Sequence, residues 1–294
     1  MREAALLTAL DLLNEQRAPT DRYINRSASL NSLDSLSYQY DDLAASCEIE
    51  IAKDRFYLNA KDYDLKHRYD FLKQNEGRWK NWLRGNYFTN ELKSITNPQF
   101  HYQQNSEVIL PGKETTARLT AIRNLSDIKV TITQIKADGT TSLPLYDEKE
   151  IKKVKALKIK STAIELNKHF SHHPEYELFE DSITIPKLSL GVYLIEISTP
   201  NERVSTSYSI LYVSNLQLMA EEMPGKEVRY VAVDATTGHP ISEAKIQLIN
   251  SWKDVNDKDN ITVTTNENGE YIYKINDNGQ TEYRYIPIPT TSCL

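Results

Sequence analysis

The hydrophobic pattern changes its period at Asn97 and Pro98. Between Asp41 and Ile95, apolar residues recur at steps of three and four, which is the spacing of one face of a helix. After Pro98, apolar and polar residues alternate in short runs separated by Gly, Pro, Asn and Asp, which is typical of half-buried strands. The sequence therefore predicts a helical N-terminal part followed by antiparallel β-structure.

The helical part begins with a predicted helix over Ala4–Leu13, and Pro19 ends it. The polar stretch Ile24–Ser37 is compatible with a loop or with a frayed helix. From Asp41 onward we expect antiparallel helices, punctuated by Gly77 and Gly85.

The β part predicts two consecutive antiparallel sandwiches, because short strands separated by turn residues are the signal for this architecture. The expected strands are Thr115–Arg123, Ile128–Ile135, Ile183–Leu188, Gly191–Ser198, Ser205–Val213, Leu216–Glu222, Val228–Val233, Ala244–Ile249, Ile261–Thr265, Tyr271–Ile275 and Tyr283–Ile288. An expected turn lies at Asp138 and Gly139. We expect a mixed, mainly β fold with domains at 1–96, 97–216 and 217–294. The last is shorter than the about 100 residues of a seven-strand sandwich, so we expect it to be incomplete.

The formal net charge of -6 argues against nucleic acid as a partner, because phosphate binding draws on clustered Lys and Arg. One basic run, from Lys152 to Lys160, is interleaved with apolar residues and is interpreted as a strand with a solvated face. Met1–Ala9 lacks the apolar stretch of a signal peptide, and no membrane span is evident. An exported parent protein would have its leader outside this chain.

Two stretches carry a resemblance to a known family. Residues 190–196 (LGVYLIE) and 208–216 (YSILYVSNL) resemble the closing strands of a macroglobulin domain. Residues 230–246 (YVAVDATTGHPISEAKI) and 264–271 (TTNENGEY) are similar to a hairpin and its companion turn in macroglobulin and carboxypeptidase-regulatory-like sandwiches. The turn chemistry fits independently, because Gly238 and Gly269 permit a positive φ and Pro240 stiffens the exit.

The chain therefore resembles the N-terminal part of a bacterial, Bacteroidetes-type alpha-2-macroglobulin, in which tetratricopeptide-like helices precede the first macroglobulin domain. The stretches 110–113 (LPGK) and 122–125 (IRNL) fit that comparison. The resemblance implies a non-catalytic scaffold that contributes to protease trapping, with proteases and neighbouring macroglobulin domains as partners. It also implies an exported protein of the Gram-negative periplasm or cell surface.

The chemistry of the trap is not expected in this chain. Family members use a Cys-x-Glu-Gln thioester, whereas Cys47 is followed by Glu48, Ile49 and Glu50, and Cys293 by Leu294 alone. Two cysteines so far apart also predict no disulfide framework. We expect no enzyme, no catalytic residue and no cofactor.

Three candidate sites have simpler structural alternatives. His169, His172 and His173 are spaced for a metal site, but Pro174 disturbs the helical turn this needs, and a solvated connection between strands is favoured. A second stretch offers oxygen ligands for calcium at Asp254, Asn256, Asp257 and Asp259 but lacks the glycine and glutamate of an EF-hand. A third set, Trp79, Trp82, Tyr87 and Phe88, is compatible with a recognition surface or with core packing, which is favoured.

A different class of function also remains open. β-Sandwiches present loops to proteins or glycans, so a cell-surface binding or adhesion module is the alternative to the inhibitor scaffold.

Overall fold

The computed structural model describes residues 1–15, 26–58, 64–137, 143–250, 261–274 and 283–287. The chain divides into two compact units. The first comprises Met1–Gln99, Ile122–Asn124 and His172–Phe179, and the second comprises Phe100–Ala121, Leu125–Ser171 and Glu180–Leu294. Helices dominate the first and strands dominate the second, so the mixed, mainly β fold class is confirmed.

Within its described residues, the first unit contains five α-helices and a short 3-10 helix at Ala44–Ser46. The α-helices are α1 (Arg2–Glu15), α2 (Arg26–Gln39), α3 (Cys47–Leu58), α4 (Leu65–Asn75) and α5 (Tyr87–Thr96). A carboxylate caps α4, since Asp64 accepts a hydrogen bond from the backbone N of Lys66 at 2.9 Å. The next helix, α5, buries Phe88, Leu92 and Ile95, whose spacing of four and three residues places them on one face.

Two clusters of buried side chains hold these helices together. One joins α1, α2 and α3 and has as buried members Leu6, Leu10, Leu33, Ala45 and Ile49. The other joins α3, α4 and α5 with the turn after α4 and has as buried members Cys47, Ile51, Leu72, Trp79, Phe88, Leu92 and Ile95. The helix α3 contributes to both clusters, so it forms the centre of this unit.

The remaining elements follow in chain order and lie mainly in the second unit. They are β1 (Gln99–Gln104), β2 (Val108–Ile109), β3 (Thr115–Arg123), β4 (Asp127–Ile135), α6 (Glu148–Ala156), β5 (Ile164–His169), β6 (Phe179–Ile185), β7 (Gly191–Ser198), β8 (Ser207–Val213), β9 (Leu216–Met223), β10 (Glu227–Asp234), β11 (Lys245–Asn250), β12 (Ile261–Thr264), β13 (Glu270–Lys274) and β14 (Tyr283–Pro287).

The first eight strands form two sheets, with orders β1-β3-β6 and β2-β8-β7-β4-β5. In the five-stranded sheet, neighbours are antiparallel except β2 and β8, which are parallel. Both faces of β7 are buried: Val192 and Leu194 pack with Val154 of α6, and Tyr193 and Ile195 on the opposite face are also shielded from solvent. The helix α6 therefore covers one face of this sheet.

The last six strands form a second pair of sheets, with orders β13-β10-β9 and β12-β11-β14, in which all neighbours are antiparallel. Alternate residues of both sheets meet in one cluster, whose buried members are Leu216, Leu218, Tyr230, Ala232, Ala244, Ile246, Leu248 and Val263. Side chains from two sheets thus share one core, as in a β-sandwich.

The basic run is a correction to the sequence prediction. Residues Glu148–Ala156 form the helix α6, not a strand. Asp147 caps the helix by accepting a hydrogen bond from the backbone N of Glu150 at 2.8 Å. Val154 is the buried residue of this helix. Because Val154 and Leu157 are three residues apart, the same apolar residues that suggested alternation also fit a helical face.

Other elements differ from expectation at their bounds. Within the stretch expected to be a loop or a frayed helix, α2 begins at Arg26, and burial of Leu33 to 1% exposure outweighs its many helix-weak Ser and Asn residues. The strand expected over Ile183–Leu188 is β6 and ends at Ile185, because Pro186 has no N–H to donate. The strands β1, β2 and β5 were not predicted. The turn at Asp138 and Gly139 lies outside the described residues.

Membrane spans were not expected. Among the described helices, none combines the length and the apolar character needed to cross a bilayer.

Candidate functional site

The candidate histidines do not converge on one point. His169 lies at the end of β5, where its Nδ1 is 2.7 Å from Oδ1 of Asp127. That hydrogen bond lowers the pKa of Asp127 below its usual value. His173 stacks on the ring of Phe179 at 3.9 Å between centroids, and its Nδ1 lies 3.7 Å from Glu177.

The segment His172–Phe179 belongs to the first compact unit, together with the helices. Within that unit, the ring of Tyr176 lies 4.8 Å from the ring of Tyr69 on α4. The Tyr69 hydroxyl donates to Glu175 at 3.3 Å. Across the described residues, no three His, Cys, Asp or Glu side chains are placed to hold a metal ion. The candidate calcium residues Asp254, Asn256, Asp257 and Asp259 lie outside those residues.

The Cys47 thiol is buried at the start of α3. Burial raises its pKa to about 12, and the neighbouring carboxylate of Glu48 acts in the same direction. A thiol with such a pKa stays protonated at neutral pH, and the protonated form is a poor nucleophile. Cys293 lies outside the described residues.

The candidate aromatic residues take part in packing. Phe88 is fully buried and Trp79 is 7% exposed. Trp79 donates its indole N–H to Asn75 at 3.0 Å, while Arg78 covers the Trp79 ring at 4.5 Å from its centroid. The core-packing interpretation is therefore confirmed for Trp79 and Phe88, whereas Trp82 and Tyr87 are only partly buried.

A buried ion network connects three helices of the first unit. Arg68 on α4 donates to both carboxylate oxygens of Asp54 on α3, at 2.8 and 2.9 Å. The same guanidinium reaches Glu91 on α5 at 2.6 Å, and the Tyr87 hydroxyl donates to Asp54 at 2.8 Å. Burial is the main cause that raises the pKa of Tyr87, and its hydrogen bond to Asp54 adds to this. The groups bind one another, which is the arrangement of a structural network.

The hairpin motif around Gly238 is held by its own aspartate. The Asp234 carboxylate accepts hydrogen bonds from the backbone N of Thr236 at 2.8 Å and of Thr237 at 2.9 Å. These bonds lower the pKa of Asp234 to about 2. Gly238 follows with φ of 73°, a left-handed conformation that favours glycine.

The companion turn is joined to this hairpin. Thr265 accepts a hydrogen bond from the backbone N of Ala244 at 2.9 Å and donates to the carbonyl of Ile241 at 2.8 Å. Gly269 has φ of 71°, and a Cβ on it would lie 2.6 Å from the carbonyl oxygen of Ala232. The two motifs read from the sequence thus form one hydrogen-bonded unit.

The chain is similar, at low identity, to several solved structures. No protein-family model matches the chain, and no curated protein matches it. A fragment of native alpha-2-macroglobulin from Escherichia coli spanning domains MG0-NIE-MG1 is 13% identical with a TM-score of 0.43, and the match covers 64% of each chain. A second fragment, spanning domains NIE-MG1, is 12% identical with a TM-score of 0.39, covering 65% of this chain and 98% of that one.

The native conformation of the E. coli alpha-2-macroglobulin is also similar, at 11% identity and a TM-score of 0.29, with 64% of this chain and 13% of that chain covered. This chain thus spans less than two thirds of the length of the MG0-NIE-MG1 fragment and of the native protein. Likeness at these values does not carry a function from those proteins to this one.

Sequence reasoning missed one feature of the helical unit. A cleft of about 380 Å³ lies among α1, α3 and the turn before α5. Its charged lining residues are Asp11, Glu48, Arg55 and Arg84. They are up to 73 positions apart in the sequence, so no local motif could have predicted them. The only local signal was Gly85, which marks the turn that carries Arg84.

Proposed function

We propose that this chain is a non-catalytic scaffold segment of an alpha-2-macroglobulin-like protein and that it contributes to protease trapping at the cell envelope. The observation that carries the proposal is the joining of the two family-like motifs: Thr265 and Gly269 of one are hydrogen-bonded to Ile241, Ala244 and Ala232 of the other. A chance likeness of two separate turns would not require them to meet.

The domain division 1–96, 97–216 and 217–294 is part of the proposal. It is supported by the separate core of the last six strands, to which Leu216, at the boundary, also contributes. The tetratricopeptide-like character of the helices, the Bacteroidetes-type relationship and the exported location belong to the same proposal and rest on the sequence resemblance.

The chemistry of the described residues is compatible with a scaffold. The Cys47 thiol is buried with a raised pKa, and the ionisable groups around Arg68 bind one another. Neither group is presented to a substrate. No observation on the described residues favours the adhesion alternative over the scaffold.

The test uses the full-length protein that contains this chain, incubated with a broad-specificity protease. Trapping predicts that the protease co-elutes with the protein in size-exclusion chromatography while it still cleaves a small chromogenic peptide. The test variant is Gly269→Ala, which disturbs the joined motifs, and the matched control is Gly238→Ala. The Gly269→Ala protein should trap less protease than the Gly238→Ala protein. Digestion of the correctly folded protein without any complex would refute the proposal.

A further inference from the structure

The lining of the cleft in the helical unit combines apolar and charged side chains. Its apolar residues come from α1, α3 and the turn before α5, and they are Leu7, Leu10, Ile51, Ala52 and Trp82. The volume of about 380 Å³ lies within the range of about 300 to 1,000 Å³ that is usual for small-ligand sites. The cleft is therefore large enough for one amino-acid side chain and its neighbouring backbone.

One carboxylate of the cleft is already neutralised. Glu48 accepts a hydrogen bond from the indole N–H of Trp82 at 2.9 Å and from Nη1 of Arg84 at 2.7 Å. These two bonds occupy both oxygens of Glu48 and hold Arg84 in the lining of the cleft. The arrangement positions Arg84, because a guanidinium fixed by a carboxylate loses less freedom when a ligand arrives.

Two further groups of the lining have hydrogen-bonding capacity left. Arg84 is 41% exposed, and its Nε and Nη2 make no hydrogen bond within the part of the chain that the structure describes. Asp11 on α1 is exposed and likewise has no polar partner among those residues. The cleft thus offers donors for an anion and an acceptor for a ligand N–H.

The geometry points to the C-terminal residue of a peptide as the ligand: we propose that an apolar side chain enters the cleft, that Arg84 binds the terminal carboxylate, and that Asp11 accepts a backbone N–H. A fatty acid has the carboxylate and the apolar chain but no donor for Asp11. A basic side chain would face the guanidinium groups of Arg55 and Arg84. A peptide end is the class that matches all three features of the cleft.

The first experiment compares ligands on the unmodified chain by calorimetry and Trp fluorescence. The probes are N-acetyl-Ala-Leu with a free carboxylate, the same dipeptide as its carboxamide, and octanoate. We expect saturable binding of the free acid and at least about tenfold weaker binding of the carboxamide, since hydrogen bonds to charged groups contribute that much. Equal affinity for acid and carboxamide, or no saturable binding of the acid, would overturn the proposal. If octanoate bound as tightly as the dipeptide, the proposal of a peptide end would be overturned, and the ligand would be a simple aliphatic carboxylate.

The second experiment compares variants whose thermal unfolding is measured alongside binding. Arg84→Gln should lower the affinity for the free acid about tenfold, because a charged donor is lost. Arg78→Gln is the matched control from the same turn and should keep the affinity, because Arg78 covers Trp79 and does not line this cleft. Ala52→Phe fills the cleft and should abolish binding even if Arg84→Gln does not fold. Unchanged binding in a folded Ala52→Phe variant would place the ligand elsewhere and refute the site.

Discussion

Gly269 is constrained by contact as well as by its backbone angle. A methyl group there would have to avoid the carbonyl oxygen of Ala232 at 2.6 Å, whereas nothing lies within 4 Å of one at Gly238. Both glycines have a left-handed φ, which costs other residues about 1 kcal/mol or more. We expect Gly238→Ala to lower the free energy of unfolding by about 1 kcal/mol and Gly269→Ala by about 2 to 4 kcal/mol. Urea denaturation of both variants measures the difference, and equal losses would show that the close contact is relieved without cost.

The Asp234 carboxylate predicts a specific acid sensitivity. Its pKa falls from an ordinary value of 3.8 to about 2 because the backbone N–H groups of Thr237 and Thr236 bind the charged form. A carboxyl whose pKa is lower in the folded state stabilises the protein above its unfolded pKa, and this stabilisation is lost as the pH falls through the folded pKa. The contribution of Asp234 should therefore disappear between about pH 4 and pH 2.

Denaturant midpoints measured across that window test the expectation. In Asp234→Asn, the side-chain oxygen can still accept a hydrogen bond but carries no charge, so its midpoint should fall less steeply with acid than that of the unmodified protein. Parallel curves for the two proteins would mean that Asp234 is not responsible.

At the scale of elements, the buried network ties α3, α4 and α5 through Arg68. Removing one partner of a buried pair leaves the other charge without compensation and costs about 3 to 5 kcal/mol. We expect a loss of this size for Arg68→Met, since Asp54 is 0% exposed. Adding Asp54→Leu to that variant should recover part of the loss, because no buried charge then remains at that position. A double-mutant cycle by urea denaturation measures this coupling, and additive losses would contradict it. The exposed pair of Lys66 and Asp70 is the control and should show far weaker coupling.

Elements were predictable where burial follows one period. β3 has the bounds that alternation predicted, and α5 has the spacing of a helix face. β7 also has its predicted bounds, although both of its faces are buried. The helix α6 was misread because its one buried residue, Val154, belongs to a pattern that suits either period. The more informative signal was Asp147, three residues before Glu150, which is the spacing of a helix cap. The strand β5 lies at the edge of its sheet, and although its burial alternates, only Ile164 and Leu166 among its six residues are apolar.

The candidate site was less predictable than the elements. Hydrogen bonding of Glu48 to Trp82 and Arg84 depends on how α3 meets a turn more than 30 positions later. Packing of Trp79 could be anticipated, because large rings dominate burial. Which polar groups stay unsatisfied at the edge of a cleft follows only from the assembled helices.

At the scale of the whole molecule, charge is the most informative property. The formal net charge is -6, and the basic run around α6 is largely paired: Lys153 contacts Glu150, while Lys155 and Lys158 both contact Glu196. Such pairing leaves little positive potential for phosphate groups. We therefore expect no saturable binding to duplex DNA at about 0.15 M salt by fluorescence anisotropy. Binding that weakens with salt and is lost in Lys152→Ala and Lys160→Ala variants would contradict this.

The strand β7 is buried on both faces, and α6 covers one of them. Amide hydrogens there can be replaced by deuterium only when the surrounding structure opens on both sides. We expect the amides of Val192–Ile195 to be among the last to exchange, well after those of β9, whose second half is exposed. Val154→Ala removes part of the side chain by which α6 packs on β7. We expect this substitution to speed amide exchange in β7 before other strands, because α6 then protects the centre of the sheet less well.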